Sequence, residues 1–246
     1  MSKSNGGNTL IVAGVGIKSI SHLTEEVKKA VSDSDLVMFL LNEPLMKQYI
    51  RENSKSYYDL EDTYYSHDIR FEAYDAISNK ILSAIDEYHS VCVVAYGHPF
   101  FCADPFLKAA KIADKASNRV IFMPGISSLD CLISDLMIDP ARGGLQIYEA
   151  THLLHKKKPV DISVNLIVLQ AGFVSVKGHV HLGENDGYKD LCSYLQKLYP
   201  IDHKVTIYEA SLYPSVAPKI EVASIASLHK SNVSPISSIF VPSVVS

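Results

Sequence analysis

Four short apolar runs, separated by stretches with helical patterning, constrain the fold more than any other feature of this chain. Thr9-Leu10-Ile11-Val12-Ala13, Leu36 to Leu41, Val91 to Ala95 and Val120 to Met123 are each of strand length and free of charge. A strand that is apolar on both faces has to be covered on both faces. Strands of this kind alternating with helices therefore imply a parallel sheet between two helical layers. The intervening sequence carries the matching helical period: Leu23 to Val31 follows the first run, and Ile69, Ala73, Ile77 and Ala84 mark the buried stripe of a helix from Asp68 to Tyr88. Pro124-Gly125 closes the fourth run, Ser128 to Ile138 reads as a helix, and Asp139-Pro140 with Gly143-Gly144 breaks the pattern. Beyond that break, Asn165 to Leu169 and Lys204 to Tyr208 read as strands and Tyr188 to Leu198 as a helix. Short alternating runs follow around Lys219 to Val222 and Ile236 to Val241.

Composition removes several function classes. The 246 residues suffice for two compact domains, and a formal net charge of -4 offers no electrostatic basis for a nucleic-acid partner. Lys156-Lys157-Lys158, ahead of Pro159, reads as a solvated loop. No apolar stretch is long enough to span a membrane, and Met1 to Asn8 is polar rather than signal-like, so a cytoplasmic protein with no membrane partner is expected. Cys92, Cys102, Cys131 and Cys192 form no CxxC pair and read as reduced thiols. His152 with His155, and His179 with His181, lack the further ligands a metal site requires, so no metal is expected. Neither a nucleophile-elbow serine nor a lysine-bearing phosphate loop occurs.

The informative residues fall at the ends of the predicted strands. Gly14-Val15-Gly16 follows the first strand but lacks the third glycine and the downstream acid of a dinucleotide fingerprint, which argues against a nicotinamide cofactor. Tyr96-Gly97-His98-Pro99-Phe100-Phe101 follows the third strand, at the carboxyl edge where open α/β sheets place ligands. Pro124-Gly125-Ile126-Ser127-Ser128 follows the fourth and offers hydroxyls and free backbone N–H groups at a helix start. Arg70 and Tyr74, four residues apart on one helix, share a face.

Taken together, these loops resemble those of methyltransferases with the tetrapyrrole-methylase fold, over nearly the whole chain. The resemblance implies an amino-terminal parallel-sheet α/β domain, residues 1–125, and a carboxy-terminal mixed α/β domain, residues 126–246. It also implies S-adenosylmethionine in the cleft between them and a homodimer. Gly97-His98-Pro99 stands where many members have Gly-Asp-Pro. This loop, with Tyr64, Arg70 and Tyr74, Tyr148-Glu149-Ala150-Thr151, Gln170 and Asp202-His203-Lys204-Val205, resembles borosin peptide backbone α-N-methyltransferases. Because the chain stops at Ser246 without a core peptide, it resembles the split members, whose substrate is a separate precursor polypeptide supplied in trans; a fused enzyme cut short of its peptide would have the same sequence.

The chemistry so implied is demanding. An amide nitrogen is a poor nucleophile because its lone pair is delocalised into the carbonyl. Methylation requires a base near nitrogen, donors near oxygen and the methyl group held in line. The resemblance carries catalytic roles onto Arg70, Tyr74, Tyr64 and Tyr96. We expect Arg70 to lower the phenol pKa of Tyr64 or Tyr74, one of which takes the amide proton, and Tyr96 to donate to the developing imidate oxygen. It carries S-adenosylmethionine contacts onto His98, Phe101, Ala103, Ser127, Ser128, Gln170, Tyr208, Ala210 and Ser238, with S-adenosylhomocysteine as product. A small-molecule methyltransferase acting on a tetrapyrrole or similar ring is the alternative, and a catalytically silent peptide-binding module is a second.

Overall fold

The computed structural model describes residues 7–102, 104–176, 178 and 186–244. The chain divides into two compact units, Met1–Ser128 with Leu212–Val216, and Leu129–Ser211 with Ala217–Ser246.

The first unit runs β1 (Thr9–Gly14), α1 (Glu25–Asp33), β2 (Leu36–Leu40), α2 (Pro44–Asn53), β3 (Tyr57–Asp59), α3 (Glu61–Tyr65), α4 (Arg70–Glu87), β4 (Ser90–Ala95), α5 (Asp104–Lys115) and β5 (Arg119–Met123). The strands form one sheet in the order β3-β2-β4-β1-β5, and every pair is parallel. The pleat sorts its apolar residues onto two faces. Leu10, Val12, Met38, Val91 and Val93 pack under α4 and α5, whereas Ala13, Val37, Phe39, Cys92 and Val94 pack under α1 and α2. The sheet is thus covered on both sides, as the uninterrupted apolar runs require. The chain leaves β1 toward one face and its neighbour β4 toward the other. That divergence opens the crevice in which open α/β sheets bind their ligands.

Capping residues set the helix starts. Thr24 Oγ1 accepts from Val27 N at 3.2 Å to begin α1, with Glu25 and Glu26 in its first turn. Glu43 caps α2 ahead of Pro44, accepting from Leu45 N at 3.0 Å and Met46 N at 2.8 Å. Its buried carboxylate also accepts from Ser19 Oγ at 2.7 Å and from Tyr213 OH at 3.0 Å, which ties the segment Leu212–Val216 into this unit.

Glycines from three loops meet above the carboxyl ends of β1, β4 and β5. Gly16 and Gly97 exchange backbone hydrogen bonds of 3.2 and 3.0 Å, and both have positive φ, 75° and 68°. The Gly97 carbonyl is wedged between the other two loops. A Cβ on Gly14 would lie 2.4 Å from that oxygen, and one on Gly125 would lie 2.3 Å from it. Beyond Gly16, His22 Nδ1 accepts from Ile17 N at 3.2 Å and Lys18 N at 3.1 Å, turning the chain back toward α1.

The second unit contains α6 (Ser128–Asp135, beginning at the boundary residue), β6 (Leu145–Glu149), α7 (Ala150–His155), β7 (Asn165–Leu169), α8 (Asp186–Leu198), β8 (Lys204–Glu209), β9 (Lys219–Ser224) and β10 (Ser238–Val241). Its sheet order is β6-β7-β10-β8-β9, with β6 and β7 parallel and the remaining pairs antiparallel. Leu166, Val168, Val205, Ile207, Ile239 and Val241 face one way and pack with Leu153, Leu191 and Leu195. No helix among the described residues is long and apolar enough to cross a membrane.

Two outcomes follow from the loops after β1 and β5. Gly125→Ala places a methyl group against the backbone of two other loops, and we expect a loss of about 1–3 kcal/mol in urea unfolding from overpacking. An unchanged midpoint would show that the loops yield at little cost. Burial, and after it the Lys18 charge, hold the His22 pKa below 6.5. The unfolded chain therefore binds the proton first, and stability falls as pH drops from about 6.5 toward the lowered folded value. Relative to His22→Asn, whose Oδ1 remains an acceptor, the parent should lose stability between about pH 7 and pH 5. Parallel pH slopes in the two proteins would contradict this.

Candidate active site

The carboxyl edge of the first unit gathers most of the residues singled out from the sequence. Strand β4 delivers Tyr96, Gly97 and His98. His98 Nδ1 accepts from Phe100 N at 3.2 Å and His98 O from Phe101 N at 3.1 Å, so the loop is folded on itself. Phe100 anchors it from below, with its ring 5.0 Å from that of Phe122 on β5. Cys102 closes the loop in a left-handed conformation, φ 58°. Ala103 lies outside the described residues. After β5, Pro124-Gly125 passes under the Gly97 carbonyl and leads to Ser127, which is buried, and Ser128, the first residue of α6. The first-turn N–H groups of a helix have no intrahelical partner and favour an anion.

A second constellation lies at the same edge, beyond β3. Tyr64 is on α3, and Arg70 and Tyr74 occupy the first turns of α4. The Tyr64 and Tyr74 rings stack with centroids 6.2 Å apart, and the Arg70 guanidinium lies 6.0 Å from the Tyr74 ring centroid. Tyr65 and Phe71 extend the aromatic array outward, with centroids 5.1 Å from Tyr64 and 6.4 Å from Tyr74, and both are exposed. Helices α4 and α5 are joined by Ser78 Oγ donating to Pro105 O at 2.8 Å and by the Lys108–Asp75 ion pair at 2.6 Å. Tyr74 also lies within electrostatic range of Asp104, at the start of α5, and of Cys102, at the end of the loop that His98 begins. Tyr96 packs against the opposite face of the sheet, with the α1 and α2 cluster, whereas Tyr64 packs with the α4 and α5 cluster.

The electrostatics correct one expectation. Arg70 does pull the phenol pKa of both tyrosines down, but burial acts more strongly in the opposite direction. Tyr64 is shifted upward, and Tyr74 is pushed up to about 12. Spacing alone showed the nearby cation and not the desolvation. Both groups are neutral phenols at neutral pH.

In the second unit, Gln170, Tyr208, Ala210 and Ser238 converge on one end of the sheet. Ser238 pairs with Tyr208 across the β10–β8 ladder, and Gln170 directly follows β7. Gln170 is left-handed, with φ 55° and ψ 40°. The buried Tyr208 hydroxyl donates to Asp135 Oδ2 at 2.7 Å. His203, from the Asp202-His203-Lys204-Val205 motif, lies at the other end of β8, stacked on Tyr199 with centroids 5.4 Å apart. Tyr148 and Glu149 are likewise structural: the Tyr148 hydroxyl donates to Pro159 O at 3.2 Å, and Glu149 caps α7. Among the described residues no group of three or more His, Cys, Asp or Glu side chains could hold a metal; His179 and His181 lie outside them. Sequence reasoning overlooked His22 and Glu43, whose only signal was a polar residue beside a helix start.

Comparison with known proteins identifies the family and the fold. Residues 9–211 match the family described as tetrapyrrole (corrin/porphyrin) methylases. The chain is 34% identical over 233 residues to a methyltransferase/ribosomally synthesized type II borosin cyclic peptide precursor of Phlebiopsis gigantea, covering 94% of this chain and 41% of that protein. It is 30% identical over 227 residues to the methyltransferase/lentinulin A precursor of Lentinula edodes, covering 92% and 54%. The chain thus spans about half the length of the curated relatives it matches. Among solved structures, uroporphyrin-III-C-methyltransferase of Thermus thermophilus superposes with a TM-score of 0.67 at 14% identity, covering 97% of this chain and 93% of that one. A cobalt precorrin-4 methyltransferase does so with a TM-score of 0.66 at 13% identity, covering 98% of each. With two α/β units built on the sheets described above and a family match that spans both, this chain belongs to the tetrapyrrole (corrin/porphyrin) methylases.

Proposed function

We propose that this chain transfers methyl groups from S-adenosylmethionine to backbone amide nitrogens of a ribosomally made precursor peptide, supplied as a separate polypeptide to a homodimer in the cytoplasm. The observation that carries the reading is the Tyr64–Tyr74–Arg70 stack, set beside the His98–Cys102 loop in a member of the methylase family. The relatives named as borosin precursors support the peptide substrate.

The residues present suit the cofactor. Ser127 and Ser128 bring hydroxyls to the N-terminal end of α6, whose dipole favours a carboxylate, and His98 and Phe101 lie on a loop that the glycine contact holds fixed. Ser238, Gln170 and the Tyr208–Ala210 backbone are the contacts we assign in the second unit; Ala103 is assigned from the resemblance alone. When bound, S-adenosylmethionine supplies an electrophilic methyl group on a sulfonium.

The chain's own residues then have three tasks. Tyr64 or Tyr74 takes the amide proton, which requires the phenolate that Arg70 favours and burial opposes. A raised phenol pKa makes the phenolate scarce but strongly basic, which suits a proton as weakly acidic as that of an amide. Tyr96 donates to the oxygen on which imidate charge collects. The exposed rings of Tyr65 and Phe71 offer an apolar track next to these groups.

The test is mass spectrometry of a synthetic precursor peptide, with the methyl groups located by fragmentation. Methylation on backbone nitrogens is expected, from a preparation that scatters light at twice the 27.1 kDa chain mass. Arg70→Lys and the Tyr→Phe change at whichever of Tyr64 and Tyr74 is the base should lose most turnover with cofactor affinity retained, because a lysine lacks the planar guanidinium fork and phenylalanine lacks the hydroxyl. Tyr96→Phe should fall by roughly a hundredfold, one oxyanion donor's worth. Turnover of the parent should rise with pH above neutrality as the phenolate fraction grows. Methyl groups found only on side chains, or parent-like rates in Arg70→Lys and both Tyr→Phe variants, would refute the mechanism.

A further inference from the structure

We propose that Glu209 is a positioning residue that sets the conformation of Gln170, and through it the affinity for S-adenosylmethionine; the second half rests on the functional reading above. Glu209 ends β8, between Tyr208 and Ala210, and its Oε1 accepts from Ser237 Oγ at 2.5 Å and from Lys219 Nζ at 3.2 Å. Ser237 is fully buried, and its hydrogen bonds order the turn before β10. Its hydroxyl donates to Glu209 and accepts from Ser234 N at 2.7 Å, its N–H donates to Ser234 O at 3.0 Å, and its carbonyl accepts from Ala171 N at 2.8 Å. Lys219, on β9, also donates to Asn232 O at 2.5 Å, so one cation and one carboxylate tie together β8, β9 and the turn.

The Ala171 bond makes this network matter to the candidate site. Gln170 occupies the left-handed region, which a non-glycine residue enters only when its surroundings impose it. The imposition comes from the two residues that follow. Ala171 N–H is held by Ser237 O, and Gly172 sits so close to the turn that a Cβ there would lie 2.2 Å from Ser234 O. Releasing Ser237 from Glu209 frees the turn, loosens both contacts and allows Gln170 to return to an ordinary conformation. Hydrogen bonds from Ser237 and Lys219 hold the Glu209 carboxyl below its usual pKa, so the charged form is the one that organises the turn. The sequence shows Glu209 only as part of the Tyr208-Glu209-Ala210 run, with no indication that it reaches across to β10.

The experiment combines amide hydrogen exchange with calorimetry of S-adenosylhomocysteine binding on the full chain. In Glu209→Ala the Ala171 amide should exchange faster while Ile207 and Ile239, in the ladder core, keep their protection. The affinity should weaken by about tenfold, one charge-assisted hydrogen bond's worth. Glu209→Gln, which keeps an acceptor oxygen but loses the charge, should fall between the parent and Glu209→Ala in both. Unchanged Ala171 exchange in Glu209→Ala overturns the positioning role, whether or not the cofactor binds. Parent-like affinity in Glu209→Ala overturns its effect on the cofactor. A parent that binds no S-adenosylhomocysteine refutes the functional reading and with it the cofactor half, and the exchange measurement still decides the positioning half.

Discussion

The first unit depends on a backbone contact that admits no side chain. The Gly97 carbonyl lies between the loops after β1 and β5, at a distance where a Cβ on either Gly14 or Gly125 would penetrate it. Three parallel strands therefore release their chains at one point, and the loops that follow have little freedom to choose another path. His22 fixes the first loop by receiving two backbone N–H groups, and the Phe100–Phe122 contact fixes the second from below. This preorganisation places His98, Phe101, Ser127 and Ser128 at the sheet's switch point through packing and backbone hydrogen bonding rather than through charge.

Charge enters one layer further out, where the balance between burial and Coulomb attraction decides the chemistry. A guanidinium 6.0 Å from the Tyr74 ring would by itself favour the phenolate, yet the surrounding apolar packing leaves Tyr74 at about 12. The arrangement therefore keeps the phenol protonated at rest and supplies a partner for the anion when it forms. For the amide acceptor proposed above, a strong base generated within the site is of more use than a weak base present throughout. The same logic appears in the second unit, where burial pushes the Glu209 carboxyl pKa up and hydrogen bonds, those from Ser237 and Lys219 foremost, bring it below its usual value.

The sequence displayed the framework clearly and the fine structure poorly. β1, β2, β4 and β5 were legible because central parallel strands are apolar on both faces, and α4 because its stripe keeps the helical period over 18 residues. β3, with three residues at the sheet edge, and β6, half-exposed at the edge of the other sheet, carry no such run and were not seen. The Gly14, Gly97 and Gly125 loops could be located from turn chemistry, although nothing local reveals that they touch. Spacing on α4 brought Arg70 and Tyr74 together correctly. It missed the net direction of the pKa shift, which depends on burial by residues distant in sequence. Tyr148, Glu149 and His203 stood out as motif residues; in the fold the Tyr148 hydroxyl bonds a backbone carbonyl, Glu149 caps a helix, and His203 stacks on Tyr199 with its Nε2 2.9 Å from Pro242 O.

The most direct test of this account is a crystal structure of the chain with S-adenosylhomocysteine. The account predicts the compound against His98, Phe101, Ser127 and Ser128, with the Gly14, Gly97 and Gly125 contact intact. A compound bound away from these loops, or a Gly97 loop rebuilt on binding, would contradict the claim that the glycine contact forms the site in advance.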